Sequence, residues 1–142
     1  MNVFVTGGAG YIGSVCVEEL LNAGHDVTVY DNLTEGHRCA VDNRAVFIHA
    51  RLSDHDTIFE AVRDAKPDAI VHFAANALVG ESMTDPGKYF RNNVGNGVNL
   101  LEAACTAGVK KFVFSSTCAV YGPPDKVPMT EDLPCRPINP YG

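Results

Sequence analysis

A chain of 142 residues, 46% apolar and 20% charged, fits one globular domain and lacks the charge runs and low-complexity tracts of a disordered segment. Eleven basic residues against 17 acidic ones leave a formal charge of −6, which argues against nucleic acid, because a phosphate backbone calls for a basic surface. Five cysteines with no zinc-like spacing, and apolar runs too short to span a bilayer, exclude a metal finger, a disulfide scaffold and a membrane partner; a reduced, cytoplasmic protein is expected.

The chain opens on the apolar run Val3–Val5, with no basic stretch ahead of it, so a strand rather than a secretory leader is expected. Gly7-Gly8-Ala9-Gly10-Tyr11-Ile12-Gly13 follows at once and leads into a helix predicted over 12–23. A glycine array alone is weak, but between a strand and a helix it has a physical purpose. Gly7 makes the tight turn, Gly10 lets the backbone approach a pyrophosphate, and Gly13 lets helix and strand pack closely. The phosphates then meet the unpaired N–H groups of the helix start, around Tyr11 and Ile12. The plainer alternative is that these glycines serve only the turn.

Gly24 stands where the helix should end, and Val27–Tyr30 forms the second predicted strand. Asp31 closes it. A carboxylate there accepts the adenosine ribose hydroxyls and repels a 2′-phosphate, which favours NAD over NADP, with Asn32 assisting; a loop cap is the bland alternative. Val46–Ile48 is the third strand, and Arg51-Leu52 after it should flank the adenine. Leu52 is expected to pack on the ring, while Arg51 either stacks there or stands solvated. Asp54 takes the N-cap place of a helix over 54–65. Ala69–Phe73 is the fourth strand, and a helix over 87–107 is expected to turn Tyr89 and Val94 inward. On that helix Asn92 and Asn93 either grip a loop or are simply solvated. Phe112–Phe114 is the fifth strand.

These runs are too apolar for half-exposed strands and predict a parallel sheet covered on both faces, in an α/β, Rossmann-type doubly wound domain. The segments leaving its carboxyl edge, Phe73-Ala74-Ala75-Asn76 and Ser115-Ser116-Thr117, should meet the ligand. Thr117 offers a hydroxyl, though a cap or turn role suits it equally. Residues 121–142 hold six of the eight prolines and read as a surface or active-site loop. Tyr141, within Asn139-Pro140-Tyr141-Gly142, would on its own be read as packing.

Taken together, Thr6–Gly13, Asp31-Asn32-Leu33, His72–Ala75, Val79-Gly80-Glu81-Ser82, Tyr89–Asn93, Ser115-Ser116-Thr117, Val120-Tyr121-Gly122 and Asn139–Gly142 resemble the amino-terminal part of the extended short-chain dehydrogenase/reductases, most closely the UDP-glucose 4-epimerases. The resemblance implies NAD as cofactor and a UDP-sugar as small-molecule substrate. It assigns Tyr141 as catalytic base and Thr117 as hydrogen-bond partner of the sugar 4-oxygen. Asn92 falls behind the nicotinamide, and Tyr11, Ile12, Phe73, Ala74, Ala75 and Ser115 join the cofactor site. The implied reaction is an isomerisation: the 4-hydroxyl is oxidised to a ketone, the sugar turns over, and reduction occurs on its other face. A phenol, with a reference pKa of about 10, needs a neighbouring cation to act as a base near neutrality. In the family a lysine one helical turn further on supplies it. A homodimer through domain helices, including the one at 87–107, is also usual in relatives of this kind.

Several departures bear on function. Gly142 precedes that lysine and the sugar-nucleotide domain, so residues 1–142 are expected to be an incomplete NAD-binding domain, inactive alone. Ala77 replaces a cofactor-touching lysine and Arg51 an aspartate near the adenine. Cys118-Ala119 replaces the acidic pair of the 4,6-dehydratases, which disfavours dehydration. The alternatives are a UDP-arabinose/UDP-xylose 4-epimerase, another NAD-dependent sugar-nucleotide enzyme such as a decarboxylase or reductase, and an inactive NAD-binding module.

Overall fold

The computed structural model describes residues 1–142. Five strands form one parallel sheet: β1 (Asn2–Thr6), β2 (Asp26–Asp31), β3 (Val46–His49), β4 (Ala69–His72) and β5 (Lys111–Phe114), in the order β3-β2-β1-β4-β5. The chain therefore runs outward from β1 to β3, then returns to the other side of β1 for β4. That reversal leaves a crevice beyond the carboxyl ends of β1 and β4, the place where open α/β sheets bind ligands.

Strand alternation divides the core into two layers. Val3 and Val5, with Val27 and Val29, pack against Val17 of α1 (Tyr11–Asn22). Phe4, Tyr30 and Ile70 face the other way, onto Ile58 and Val62 of α2 (His55–Ala65) and Leu100, Ala103 and Ala104 of α5 (Asn96–Thr106). The short helices α3 (Val79–Thr84) and α4 (Pro86–Tyr89) lie between β4 and α5 in sequence. As the sequence suggests, Gly24 and Gly108 follow their helices with φ of 80° and 75°, values at which a Cβ would strain the backbone.

In the edge strand β5, Val113 and Phe114 are 56% and 61% exposed, and Val46 of β3 is exposed as well. As expected, Asp54 occupies the N-cap position of α2; its side chain makes no capping bond and accepts from the Ser53 hydroxyl. The helix expected over 87–107 is not uniform, since a π-helical stretch over Phe90–Gly95 separates α4 from α5. Its wider turn rotates the helix face, so that Tyr89 points inward but Val94 is exposed. No helix is long and apolar enough to cross a membrane.

Candidate functional site

The turn between β1 and α1 forms the floor of a cleft of about 540 Å³ at the reversal point. Gly7 adopts a φ of 75°, and its N–H donates to the Tyr30 carbonyl at 3.0 Å. A Cβ on Gly7 would lie 2.6 Å from the Ala74 nitrogen, and one on Gly13 would run into the Gly7 carbonyl oxygen. Both glycines are thus required by sterics, as the spacing suggests. Gly10, the N-cap of α1, lines the cleft, and a Cβ there would meet only the Gly7 oxygen, at 3.4 Å. No backbone carbonyl accepts from the N–H groups of Tyr11, Ile12 or Gly13. The Tyr11 and Ile12 side chains are exposed and do not line the cleft, so these residues offer main-chain donors. Unpaired donors at the positive end of a helix dipole suit a pyrophosphate.

Asp31 is 8% exposed and lines the same cleft. Its two oxygens accept from the Ala9 N–H at 3.0 Å and the Leu33 N–H at 2.8 Å. The loop-cap role is therefore present, and a lone pair on each oxygen remains for ribose hydroxyls. Asn32 is committed to Thr34, whose N–H donates to its side-chain oxygen at 2.9 Å. Beside them the Arg51-Leu52 backbone is held at both carbonyls. Tyr30 donates to the Arg51 oxygen and Asn99 to the Leu52 oxygen, each at 2.9 Å. Burial first, and then the Asp54 carboxylate, push the Tyr30 phenol up to about 12, which keeps it a neutral donor. Leu52 is buried, whereas Arg51 is exposed with its guanidinium in no ion pair.

Phe73, Ala74 and Ala75 leave β4 along the opposite wall, where Asn92 also lines the cleft. Of the two asparagines, Asn93 grips the loop: it accepts from the Asn76 N–H and donates to the Asn76 carbonyl, both at 2.9 Å. Asn92 donates to Asn93 and accepts from Asn96, which fixes its amide beside the cleft. Beneath this wall, His72 pairs through Nδ1 with the Thr6 hydroxyl at 2.6 Å, stacks with Phe114 and lies tilted against Phe112. Burial lowers the His72 pKa to about 4, so the ring is neutral at neutral pH. Because the folded pKa lies below the unfolded value of about 6.5, its contribution is complete above pH 6.5 and is lost as pH falls toward 4. Urea unfolding at pH 7 and pH 4.5 is expected to show an acid loss on the order of 2–3 kcal/mol that is missing in His72→Phe. Equal acid losses in the two proteins would refute this.

Ser115, Thr117 and Tyr141 do not line that cleft. Thr117 caps the 3₁₀ turn Cys118–Tyr121 by accepting from the Ala119 N–H at 3.1 Å, and its hydroxyl proton remains available. The proline-rich segment folds back on this turn: Arg136 donates to the Val120 carbonyl, and a Cβ on Gly142 would lie 2.5 Å from the Ala119 oxygen. The turn after Thr117 and the backbone after Tyr141 are thereby neighbours. The Tyr141 ring meets the buried Tyr89 edge-on, with centroids 6.2 Å apart.

Sequence reasoning missed part of the cleft lining, including Thr34, Glu35, Gly36, Lys88, Arg91 and Asn96. The carboxyl-edge rule that found Asn32 applies equally to Thr34–Gly36. Lys88, Arg91, Asn92 and Asn96 share one helix face, a pattern visible only when read outward from Asn92.

A parallel sheet reversing at β1, a glycine turn, unpaired helix N–H groups and an acidic residue ending β2 define a Rossmann-type dinucleotide-binding domain. The comparisons give the family. Residues 3–142 match the NAD dependent epimerase/dehydratase family, and the chain belongs to it. The chain is 54% identical over its whole length to a UDP-glucose 4-epimerase from Lacticaseibacillus casei, of which it covers 43%. It is 46% identical over 150 aligned residues to a probable UDP-arabinose 4-epimerase from Arabidopsis thaliana, covering 99% of this chain and 36% of that one. The crystal structure of UDP-glucose 4-epimerase from Brucella ovis in complex with NAD superposes with a TM-score of 0.95 at 44% identity, covering 99% of this chain and 43% of that one. The chain thus spans less than half the length of these relatives.

Proposed function

We propose that this chain is the NAD-binding part of a UDP-sugar 4-epimerase, with UDP-glucose and UDP-galactose as the interconverted pair. The observation that carries the cofactor assignment is the set of unpaired N–H groups at the start of α1, beside a cleft lined by Gly7, Gly10 and Asp31. The residues fit a dinucleotide. Asp31 receives the adenosine ribose, Leu52 and Arg51 flank the adenine, the α1 N-terminus takes the pyrophosphate, and Asn92 stands behind the nicotinamide. When bound, NAD supplies the reversible two-electron oxidation that converts the sugar 4-hydroxyl into a ketone and back. Tyr141 takes the hydroxyl proton and later returns it, and Thr117 hydrogen-bonds the 4-oxygen.

Asp31→Ala is expected to weaken NAD binding about 10- to 100-fold, since hydrogen bonds to a charged acceptor are worth about 1.5–3 kcal/mol, and to erase the preference over NADP. Calorimetric titration with both nucleotides checks this, and an unchanged ratio of affinities would sink the ribose assignment. For the reaction, residues 1–142 joined to the remaining carboxyl-terminal part of the Lacticaseibacillus casei relative are assayed with UDP-galactose and UDP-xylose side by side. Turnover of UDP-galactose supports the reading. Turnover of UDP-xylose alone selects the second reading, a UDP-arabinose/UDP-xylose 4-epimerase, which the Arabidopsis relative favours.

Two further parts of the reading have their own support. Exposed Phe90, Val94, Val98 and Leu101 give α5 and the stretch before it an apolar surface suited to a homodimer. Five free cysteines suit a reducing, cytoplasmic compartment.

A further inference from the structure

We propose that Arg91 is a further cofactor-binding residue, whose guanidinium holds the cofactor's pyrophosphate from the cleft wall that also carries Asn92. The inference rests on the NAD reading above and names the cation that completes the phosphate site.

The cleft needs positive charge. A pyrophosphate brings two negative charges, whereas the α1 N-terminus offers the equivalent of roughly half a positive one. Two carboxylates line the same cleft, the buried Asp31 and the exposed Glu35. The chain as a whole carries a formal charge of −6, so its wider field does not favour an anion. Cationic side chains must make up the difference, and those lining the cleft are Arg51, Lys88 and Arg91.

Two of these are committed elsewhere. Lys88 Nζ donates to Glu81 at 2.5 Å, and that bond raises the ammonium pKa, with Glu35 adding to the effect. Arg51 follows β3, two strands out from β1 and so roughly 10 Å from the glycine turn. Arg91 remains, and its guanidinium enters no ion pair. It lies along Gly87, with Nη1 2.9 Å from where a Cβ on that glycine would stand. The missing side chain at Gly87 leaves the room in which the guanidinium rests. The next residue, Asn92, is held by Asn93 and Asn96, which fixes the backbone from which Arg91 extends. A planar fork of N–H donors can meet two phosphate oxygens at once, as an ammonium cannot.

The test uses the completed chain assayed above, freed of nucleotide, as wild type, Arg91→Gln and Arg91→Lys. Each is titrated calorimetrically with NAD, ADP and adenosine. Arg91→Gln is expected to bind NAD and ADP about 5- to 20-fold more weakly, the range for a charge-assisted contact that solvent partly screens. Adenosine, which has no phosphate, should bind all three proteins alike and so serves as the control for an intact site. Arg91→Lys should recover part of the loss, because it keeps the charge without the fork. The gap between wild type and Arg91→Gln should narrow in about 1 M salt, where charges are screened beyond about 3 Å. Equal NAD affinity in wild type and Arg91→Gln overturns the proposal. So does an equal loss for ADP and adenosine, which would report a distorted site. A raised KM for UDP-galactose with NAD binding intact also overturns it, and would move the guanidinium to the sugar nucleotide. Wild type that binds neither NAD nor ADP would remove the cofactor reading itself, and this inference with it.

Discussion

Gly13→Ala is expected to abolish useful NAD binding and to destabilise the domain together. The added methyl would run into the Gly7 carbonyl oxygen, with the Gly7 carbon and the Gly8 Cα each 2.9 Å away, and all three belong to backbone. No flexible side chain stands there to yield, so α1 must shift away from the turn. Overpacking of this kind typically destabilises by about 1–3 kcal/mol. The same shift moves the free N–H groups of Tyr11, Ile12 and Gly13 away from the phosphates. Losing one or two charge-assisted bonds weakens affinity on the order of a hundredfold or more. Gly97→Ala is the matched control. It lies within α5, nothing stands within 4 Å of its added Cβ, and alanine there should favour the helix by about 1 kcal/mol. Thermal melts with and without NAD read both effects. A Gly13→Ala protein that melts and binds like wild type would remove the steric argument for the glycine turn.

The features legible in the sequence are those set by local rules. Apolar runs locate all five strands to within a residue or two, and the glycine spacing locates the turn that floors the cleft. Asp31 was found because it ends a strand next to that turn. What escaped depended on packing. The π-helical turn over Phe90–Gly95 has no signature in residue spacing, so the inward face beyond Tyr89 was assigned one step out of phase. It is Asn93, rather than Val94, that reaches inward to the Asn76 backbone.

The short helix α3 escaped for a related reason. Val79–Thr84 holds a glycine and β-branched residues at both ends, poor helix formers by propensity. Tertiary bonds from Tyr89 to Leu78 and Glu81, and from Lys88 to Glu81, hold it in place instead. Tyr141 and Thr117 were identified through resemblance, since a hydroxyl in a proline-rich loop has no local signal of its role. The loop that carries Tyr141 returns to the turn that Thr117 caps.

Tyr141→Phe should lower kcat of the completed enzyme by about 10²- to 10⁴-fold, the usual contribution of a positioned acid–base group. The substitution is selective because phenylalanine keeps the ring that meets Tyr89 edge-on and removes only the oxygen. NAD content and the KM for the UDP-sugar should therefore stay close to wild type, which separates lost chemistry from lost binding. Thr117→Ala is less selective, because it also removes the acceptor for the Ala119 N–H and so weakens the turn by about 1 kcal/mol. The double variant discriminates further. If both hydroxyls serve one proton transfer, Tyr141→Phe with Thr117→Ala should be hardly slower than Tyr141→Phe alone, since groups acting as a unit are not additive. Multiplying effects would mean that the two residues act on separate steps. A Tyr141→Phe enzyme within tenfold of wild type would mean that another group carries the proton, and the search would move to the part of the protein beyond these residues.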